Sequence, residues 1–287
     1  MNNKLAIHYG SFVTNWNNDQ MPLISRVKSI GFDMLEFGAL YLRNLNDEQI
    51  KTFKNEAEKY NIALTLSLGL SPVQDIGSPN KEYRKAGMNV LKDVALAMTK
   101  CGISDCSGII HGSWNGKIDS YDEKKEYWEN SVTSMKEASK VFSDLGVYFN
   151  IEVVNRFENF LINSCDEALA YLDEVDSPNL GIHLDTFHMN IEEDSMVSAI
   201  FKAKDRLRYF HIGENNRKFP GLGSMPWKTI FETLKIIEYK NPIGMEPFVR
   251  PGGEVGSAVS LYREIMKITD YDEHLKDSIT YIRNLMA

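Results

Sequence analysis

Four apolar, β-rich stretches of the chain run into a side chain that can hold a metal ion or move a proton: Glu152 in "YFNIEVV", Asp185 in "LGIHLDTF", His211 in "RYFHIGE" and Glu246 in "NPIGMEPF". Each has an ordinary explanation. A strand-end acid or histidine is commonly solvated or hydrogen-bonded, and Asp185, just before Thr186 and Phe187, could simply cap a helix. Four in succession are harder to dismiss, because a carboxylate in apolar surroundings is costly unless it is paired, protonated or metal-bound. Three carboxylates and one imidazole suit a divalent cation such as Mn²⁺, Co²⁺ or Mg²⁺, whereas a zinc site usually carries more His or Cys. A cation there would polarise a substrate carbonyl, acidify the neighbouring C–H and stabilise the resulting enediolate.

The elements that must position these residues repeat along the chain. Short β-rich runs lie near residues 5, 35, 65, 110, 150, 182, 210 and 245, giving eight strand candidates. Between them come segments of helical period, among them "NDEQIKTFKNEAEKYN", "KEYRKAGMNVLKDVALAMTKCG", "SVTSMKEASKVFSDLG" and "WKTIFETLKIIEY". "MNIEED", after Asp185, reads as the polar start of another helix. Gly31, Gly102 and Gly146 each precede an apolar residue, as C-cap glycines leading into a strand would. Strand–helix alternation implies parallel pairing with right-handed crossovers, so eight units predict a (β/α)₈ TIM barrel of class α/β, a single domain over residues 1–287. An open doubly wound sheet is the alternative, but no GxGxxG follows the first strand.

A barrel sets its functional residues at the C-terminal ends of its strands. With strands about 45° apart around the axis, Glu152 and Glu246 would face it from directions differing by roughly 135°. Two carboxylates so placed can address opposite faces of one carbon, one removing a proton and the other returning one. That is the requirement for inverting a stereocentre beside a carbonyl. An aldose–ketose isomerase, which moves a proton between neighbouring carbons, has no need of it.

The 287 residues are 43% hydrophobic and carry a net charge of −8, which favours a globular fold over nucleic-acid or anionic-membrane partners. Cys101, Cys106 and Cys165 fit neither a CxxC nor a zinc-finger spacing and read as reduced thiols. No run approaches the ~18 apolar residues of a membrane span, and the N-terminus lacks a signal-peptide core, so a cytoplasmic enzyme or binding protein is expected. The C-terminal stretch "SAVSLYREIMKITDYDEHLKDSITYIRNLMA" is either a barrel-closing helix or a subunit contact, closure being the simpler reading.

The segments "IEVVNRFENFLIN", "LDTFHMNIEED", "HIGENNRKFPGLGSMPW" and "MEPFVRPGG" closely resemble the ketose 3-epimerases of the tagatose/psicose (allulose) type, in the xylose-isomerase-like TIM barrel group. The resemblance implies that Glu152, Asp185, His211 and Glu246 bind Mn²⁺ or Co²⁺, and that Glu152 and Glu246 are also the acid/base pair. It implies further that Glu158, His188 and Arg217 hold ketose oxygens near C1 to C3, that Trp114 walls the pocket, and that the protein is a homodimer or homotetramer. The departures lie toward the far end of the sugar. His8 stands where the family usually has an aromatic residue on strand one, Ser113 precedes Trp114, and Ile109 is bulkier than in some relatives. These bear on which ketose is preferred and leave the chemistry at C3 untouched.

Taken as residues alone, His188 could hydrogen-bond a sugar oxygen or face solvent, and Glu158 could merely pair with Arg156 on the surface. Arg217 could clamp oxygens or, with Arg250 and the "RPGGEVGS" turn, bind phosphate. A sugar-phosphate epimerase or isomerase of the same barrel group is therefore the alternative enzyme. A non-catalytic sugar-binding barrel is the alternative of another class, and it predicts loss of a ligand or of the Glu pair. A DNA-repair nuclease would need a His-rich multi-metal cluster and a basic groove, both missing from this acidic chain.

Overall fold

The computed structural model describes residues 1–267 and 269–287. Eight parallel strands close on themselves in chain order: β1 (Leu5–His8), β2 (Met34–Gly38), β3 (Ala63–Leu70), β4 (Asp105–Ser113), β5 (Tyr148–Val153), β6 (Leu180–Asp185), β7 (Leu207–Ile212) and β8 (Ile243–Met245), with β8 paired to β1. The helices that return the chain are α1 (Leu23–Ile30), α2 (Ala39–Arg43), α3 (Asp47–Tyr60), α4 (Lys81–Cys101), α5 (Glu123–Leu145), α6 (Cys165–Val175), α7 (Thr186–Glu192), α8 (Met196–Ala203), α9 (Trp227–Ile236), α10 (Gly253–Ala258) and α11 (Tyr271–Met286). The TIM barrel read from the alternation of runs is the fold observed.

Local chemistry explains the element ends. Gly31, Gly102 and Gly146 are left-handed at φ of 111°, 76° and 66°, and close α1, α4 and α5 as the Gly–apolar pattern predicts. Asn46 with Gln49 and Ser164 with Glu167 form reciprocal capping boxes that start α3 and α6. Other boundaries differ from the sequence reading. α5 begins at Glu123, well before the "SVTSMKEASK" period. β8 has only three residues, so Glu246 stands just beyond the strand rather than in it. "MNIEED" does not start a helix: α7 begins at Thr186 because Asp185 is its N-cap, accepting the Phe187 N–H at 2.9 Å.

Strand alternation sorts the side chains into two sets. One set packs against the helices and makes the main core, with Ile7, Leu35, Leu66, Phe149, Ile151, Ile182, Leu184, Phe210 and Ile212 fully buried or nearly so. The other points into the barrel, where Ala6, Met34 and Tyr209 with Ala63 form a small apolar floor. Inward positions at or above that floor are His8, Glu36, Glu152, His183, Asp185 and His211, all buried. The interior is therefore an apolar plug carrying a polar, acidic mouth.

α11 packs between α1 and α9 with Leu275, Ile279, Ile282 and Met286 buried, so the C-terminal stretch closes the barrel; its Ile268 lies outside the described residues. Among the described residues, no helix is long and apolar enough to cross a membrane.

Candidate active site

The four residues singled out by their strand ends meet at one place. The register pairs Asp185 with His211 across β6 and β7, and His211 with Gly244 across β7 and β8, which brings Glu246 up beside them; Glu152 enters from β5. Gly244 is required there: a Cβ would lie 2.6 Å from the Tyr209 hydroxyl and 2.7 Å from His211 Cδ2. Potential ligand atoms of Asp185, His211 and Glu246 lie within 4.8 Å of one another, as do those of Glu152, Asp185 and His188.

His211 is held from behind. Its Nε2 sits 2.7 Å from Glu36 Oε2, and the Tyr209 hydroxyl donates to the same oxygen at 2.8 Å. With Nε2–H donating to Glu36, Nδ1 is the atom left to face the cluster, 3.9 Å from Glu246 Oε2. His211 Nδ1 and Asp185 Oδ2 are both buried and have no hydrogen-bond partner among the described residues. Two buried polar atoms left without partners in one acidic space are what a cation site leaves when only protein atoms are counted, so the residue set fits a divalent metal ion.

The charges agree with that fit. Burial, then mutual repulsion with Glu246 and Asp185, pushes the Glu152 carboxyl well above its ordinary range. Glu246 is pushed up by burial too, more than the His211 and Arg217 charges pull it back. For His211, burial opposes the charge, but the Glu36 carboxylate outweighs it and raises the imidazole to about 10. A bound cation would relieve the crowding of the acids.

A second tier lies around the mouth. Arg217, in the left-handed region at φ 59°, donates to Glu246 Oε2 at 2.8 Å and to Glu158 Oε1 at 3.2 Å. Its guanidinium lies 3.6 Å from the Phe187 ring centroid. Glu158 also accepts the Trp114 indole N–H at 3.1 Å. It does not pair with Arg156, which instead forks onto Glu192. On α7, His188 Nδ1 accepts the Asn155 backbone N–H at 3.1 Å, so the proton is on Nε2, which points toward Asp185 Oδ2 and Glu152 Oε1 at 3.7 and 3.8 Å. A ring nitrogen that carries a proton is a hydrogen-bond donor and has no lone pair to offer a metal ion.

Glu152, Glu158, His188, Arg217 and Glu246 line a cavity of about 440 Å³, within the range of small-molecule sites, together with His8, Trp16, Leu68, Ile109, Trp114 and Phe248. Ser113, expected near the far end of the sugar, and Arg250, weighed as a phosphate contact, are both turned away. Ser113 bonds to Asp75 Oδ2 at 2.9 Å outside the cavity lining, and Arg250 stacks on Tyr271 and reaches the Phe12 carbonyl, so it does not serve the pocket. Sequence reading passed over Glu36, His183, Trp16 and Phe248. His183, buried 3.8 Å from Glu152 and edge-on to His211, has no hydrogen-bond partner for either ring nitrogen among the described residues. Glu36 did carry a signal, an acid on the inward parity of "MLEFG"; the two aromatics come from loops, where parity says nothing.

A closed eight-stranded barrel with a carboxylate–imidazole cluster at its C-terminal mouth defines the class: the sequence profile of the xylose isomerase-like TIM barrel family matches residues 24–277. The D-psicose 3-epimerase of Ruminiclostridium cellulolyticum is 40% identical over 267 residues, covering 93% of this chain and 91% of that protein. A crystal structure of D-psicose 3-epimerase with D-tagatose from Clostridium cellulolyticum H10 superposes at a TM-score of 0.95 with 38% identity over 99% of both chains. One of D-psicose 3-epimerase in the presence of D-fructose gives 0.95 with 32% identity, again over 99% of both. Within that barrel class, the chain belongs to the ketose 3-epimerase family of enzymes.

Proposed function

We propose that the protein epimerises free ketoses at C3, interconverting pairs such as fructose and psicose or tagatose and sorbose. The observation that carries this reading is the convergence of Glu152 from β5 and Glu246 from beyond β8 on one space, with Asp185 and the unpartnered His211 Nδ1 between them. One carboxylate takes the C3 proton, the electron pair passes into the enediolate, and the other carboxyl, carrying a proton, delivers it to the opposite face. The pair thus needs to hold one proton between them. Glu152, Asp185, His211 and Glu246 would hold a divalent cation, Mn²⁺ or Co²⁺ before Mg²⁺, which would polarise the C2 carbonyl. Glu158, His188 and Arg217 orient oxygens near C1 to C3, and Trp114 packs against the sugar. The active form is a homodimer or homotetramer, as in the family the sequence resembles.

The phosphate alternative loses support from charge. Arg217 is the one Lys or Arg lining the cavity among the described residues, and it already faces Glu158, Asp185 and Glu246. A phosphate dianion there would meet net negative charge. A panel of ketoses and ketose phosphates, assayed after chelation and again with Mn²⁺, Co²⁺, Mg²⁺ or Zn²⁺ restored, tests the reading. Chelation is expected to abolish turnover and Mn²⁺ or Co²⁺ to restore it, giving a product changed only at C3. Turnover confined to phosphates would overturn the assignment. Calorimetric titration should show metal affinity falling as pH is lowered, since protons compete with the cation for two carboxyls that already sit above their ordinary range.

His188→Ala separates substrate orientation from metal binding. With Nε2–H lost and the four ligands intact, KM is expected to rise and kcat to fall, together about 10²-fold in kcat/KM, while calorimetry finds metal affinity nearly unchanged. A large loss of metal would make His188 a ligand.

A further inference from the structure

Deepening the proposed reading, on which it rests, we propose that His8 donates a hydrogen bond to the C4 hydroxyl of the ketose and so sets the preference for configuration at that carbon. The tautomer is fixed by the backbone: Gly10 N–H donates to His8 Nδ1 at 3.2 Å, which leaves the proton on Nε2. The one hydrogen bond of the His8 ring to a protein group among the described residues is that of Nδ1, so Nε2–H is free, and His8 lines the cavity. The imidazole is also locked. Its centroid lies 4.8 Å from Tyr9, 5.9 Å from Phe248 and 6.4 Å from Trp16. A Cβ at position 10 would fall 2.9 Å from His8 Nδ1, Phe248 Cε1 and Trp16 Cζ3 alike, so the missing side chain is what lets these rings close together.

Position along the sugar follows from the neighbours. His8 is on β1, which pairs with β8, and its Nδ1 lies 3.7 Å from Glu246 Oε1, the acid addressing C3. The groups assigned to C1–C3 come from beyond β5, from α7 and from the loop after β7, so the rest of the sugar extends toward the β1–β4 half of the mouth. The first hydroxyl past C3 is therefore the one nearest the His8 ring, and we assign it to the free Nε2–H. A donor held in place by its surroundings discriminates because a sugar lacking the matching oxygen leaves it buried and unpaired.

Metal-loaded protein would be assayed on D-fructose, on its C4 epimer D-tagatose and on 4-deoxy-D-fructose, as wild type, His8→Phe and His8→Gln. The wild type is expected to favour one C4 epimer and to use the 4-deoxy sugar about 10-fold less well than that epimer. His8→Phe should lower kcat/KM for the favoured epimer about 10-fold, with a much smaller loss on the 4-deoxy sugar, and His8→Gln, which keeps a donor, should recover part of the loss. An equal loss on all three sugars, or weakened metal binding measured by calorimetry, would overturn the inference by making His8 a support of Glu246. A wild type that turns over none of the free ketoses fails the proposed function itself, before any variant is compared.

Discussion

Glu246→Gln is expected to lower kcat for C3 inversion by about 10²- to 10⁴-fold, the usual contribution of a positioned proton-transfer group. The amide keeps an oxygen that can accept from Arg217 Nη1, which donates to Glu246 Oε2 at 2.8 Å, so the mouth should stay assembled. What disappears is the exchangeable proton on one face of the sugar. Following hydrogen at C3 in D₂O gives a sharper readout than rate. Glu152 still reaches the C3 proton of one epimer, so that epimer alone should exchange slowly with solvent without inverting, and the other should do neither. Glu152→Gln should reverse the pattern. Each variant is assayed at saturating metal, because both carboxylates belong to the proposed ligand set. Near-normal inversion with metal bound, or equal exchange from both epimers, would refute the two-acid scheme.

The part of this site legible in the sequence is the part that strand periodicity controls. Once eight β-rich runs alternate with helices, a barrel follows, and an acid or histidine at the end of an apolar strand must point into its mouth. Asp185 and His211 could be found that way, and the Gly–apolar stops marked where helices end. Asp185 also shows why a single stretch could not decide between readings: its Oδ1 caps α7 while its Oδ2 is left unpartnered for the site, so the cap and the ligand are the same residue. Local pattern fails where partners come from distant strands. Nothing near Glu36 announces that its carboxylate will back His211 from the other side of the barrel mouth. Nothing near Glu158 says that it will turn from Arg156 to Arg217 and Trp114. The tautomers of His188 and His8 depend on single backbone N–H groups, of Asn155 and Gly10, which only the folded loops bring into range.

Glu36→Gln should weaken metal binding by about 10- to 100-fold, the usual cost of altering a group that orients a metal-bound histidine. Both His211 Nε2 and the Tyr209 hydroxyl bond to one Glu36 oxygen in a site 1% exposed. The neutral amide can still accept from them, so the fold should survive, but it no longer strengthens the basicity of Nδ1, the atom offered to the cation. Metal-free protein supplies an independent check through pH. Burial opposes ionisation of Glu36, but the His211 charge and hydrogen bond hold its carboxyl below the ordinary 4.5, so its stabilisation is present above that value and lost as pH falls through the lowered one. His211, raised from 6.5 to about 10, contributes fully below 6.5 and loses its contribution as pH rises toward 10. The gap in Tm between wild type and Glu36→Gln should therefore be widest near pH 5–6 and shrink toward pH 10, the window set by those two directions. Glu36→Leu removes the acceptor altogether and strands two buried donors, and should cost about 3–5 kcal/mol of stability in denaturant unfolding. A Glu36→Gln protein with unchanged metal affinity and a pH-independent Tm gap would mean that His211 is oriented by packing, not by its carboxylate.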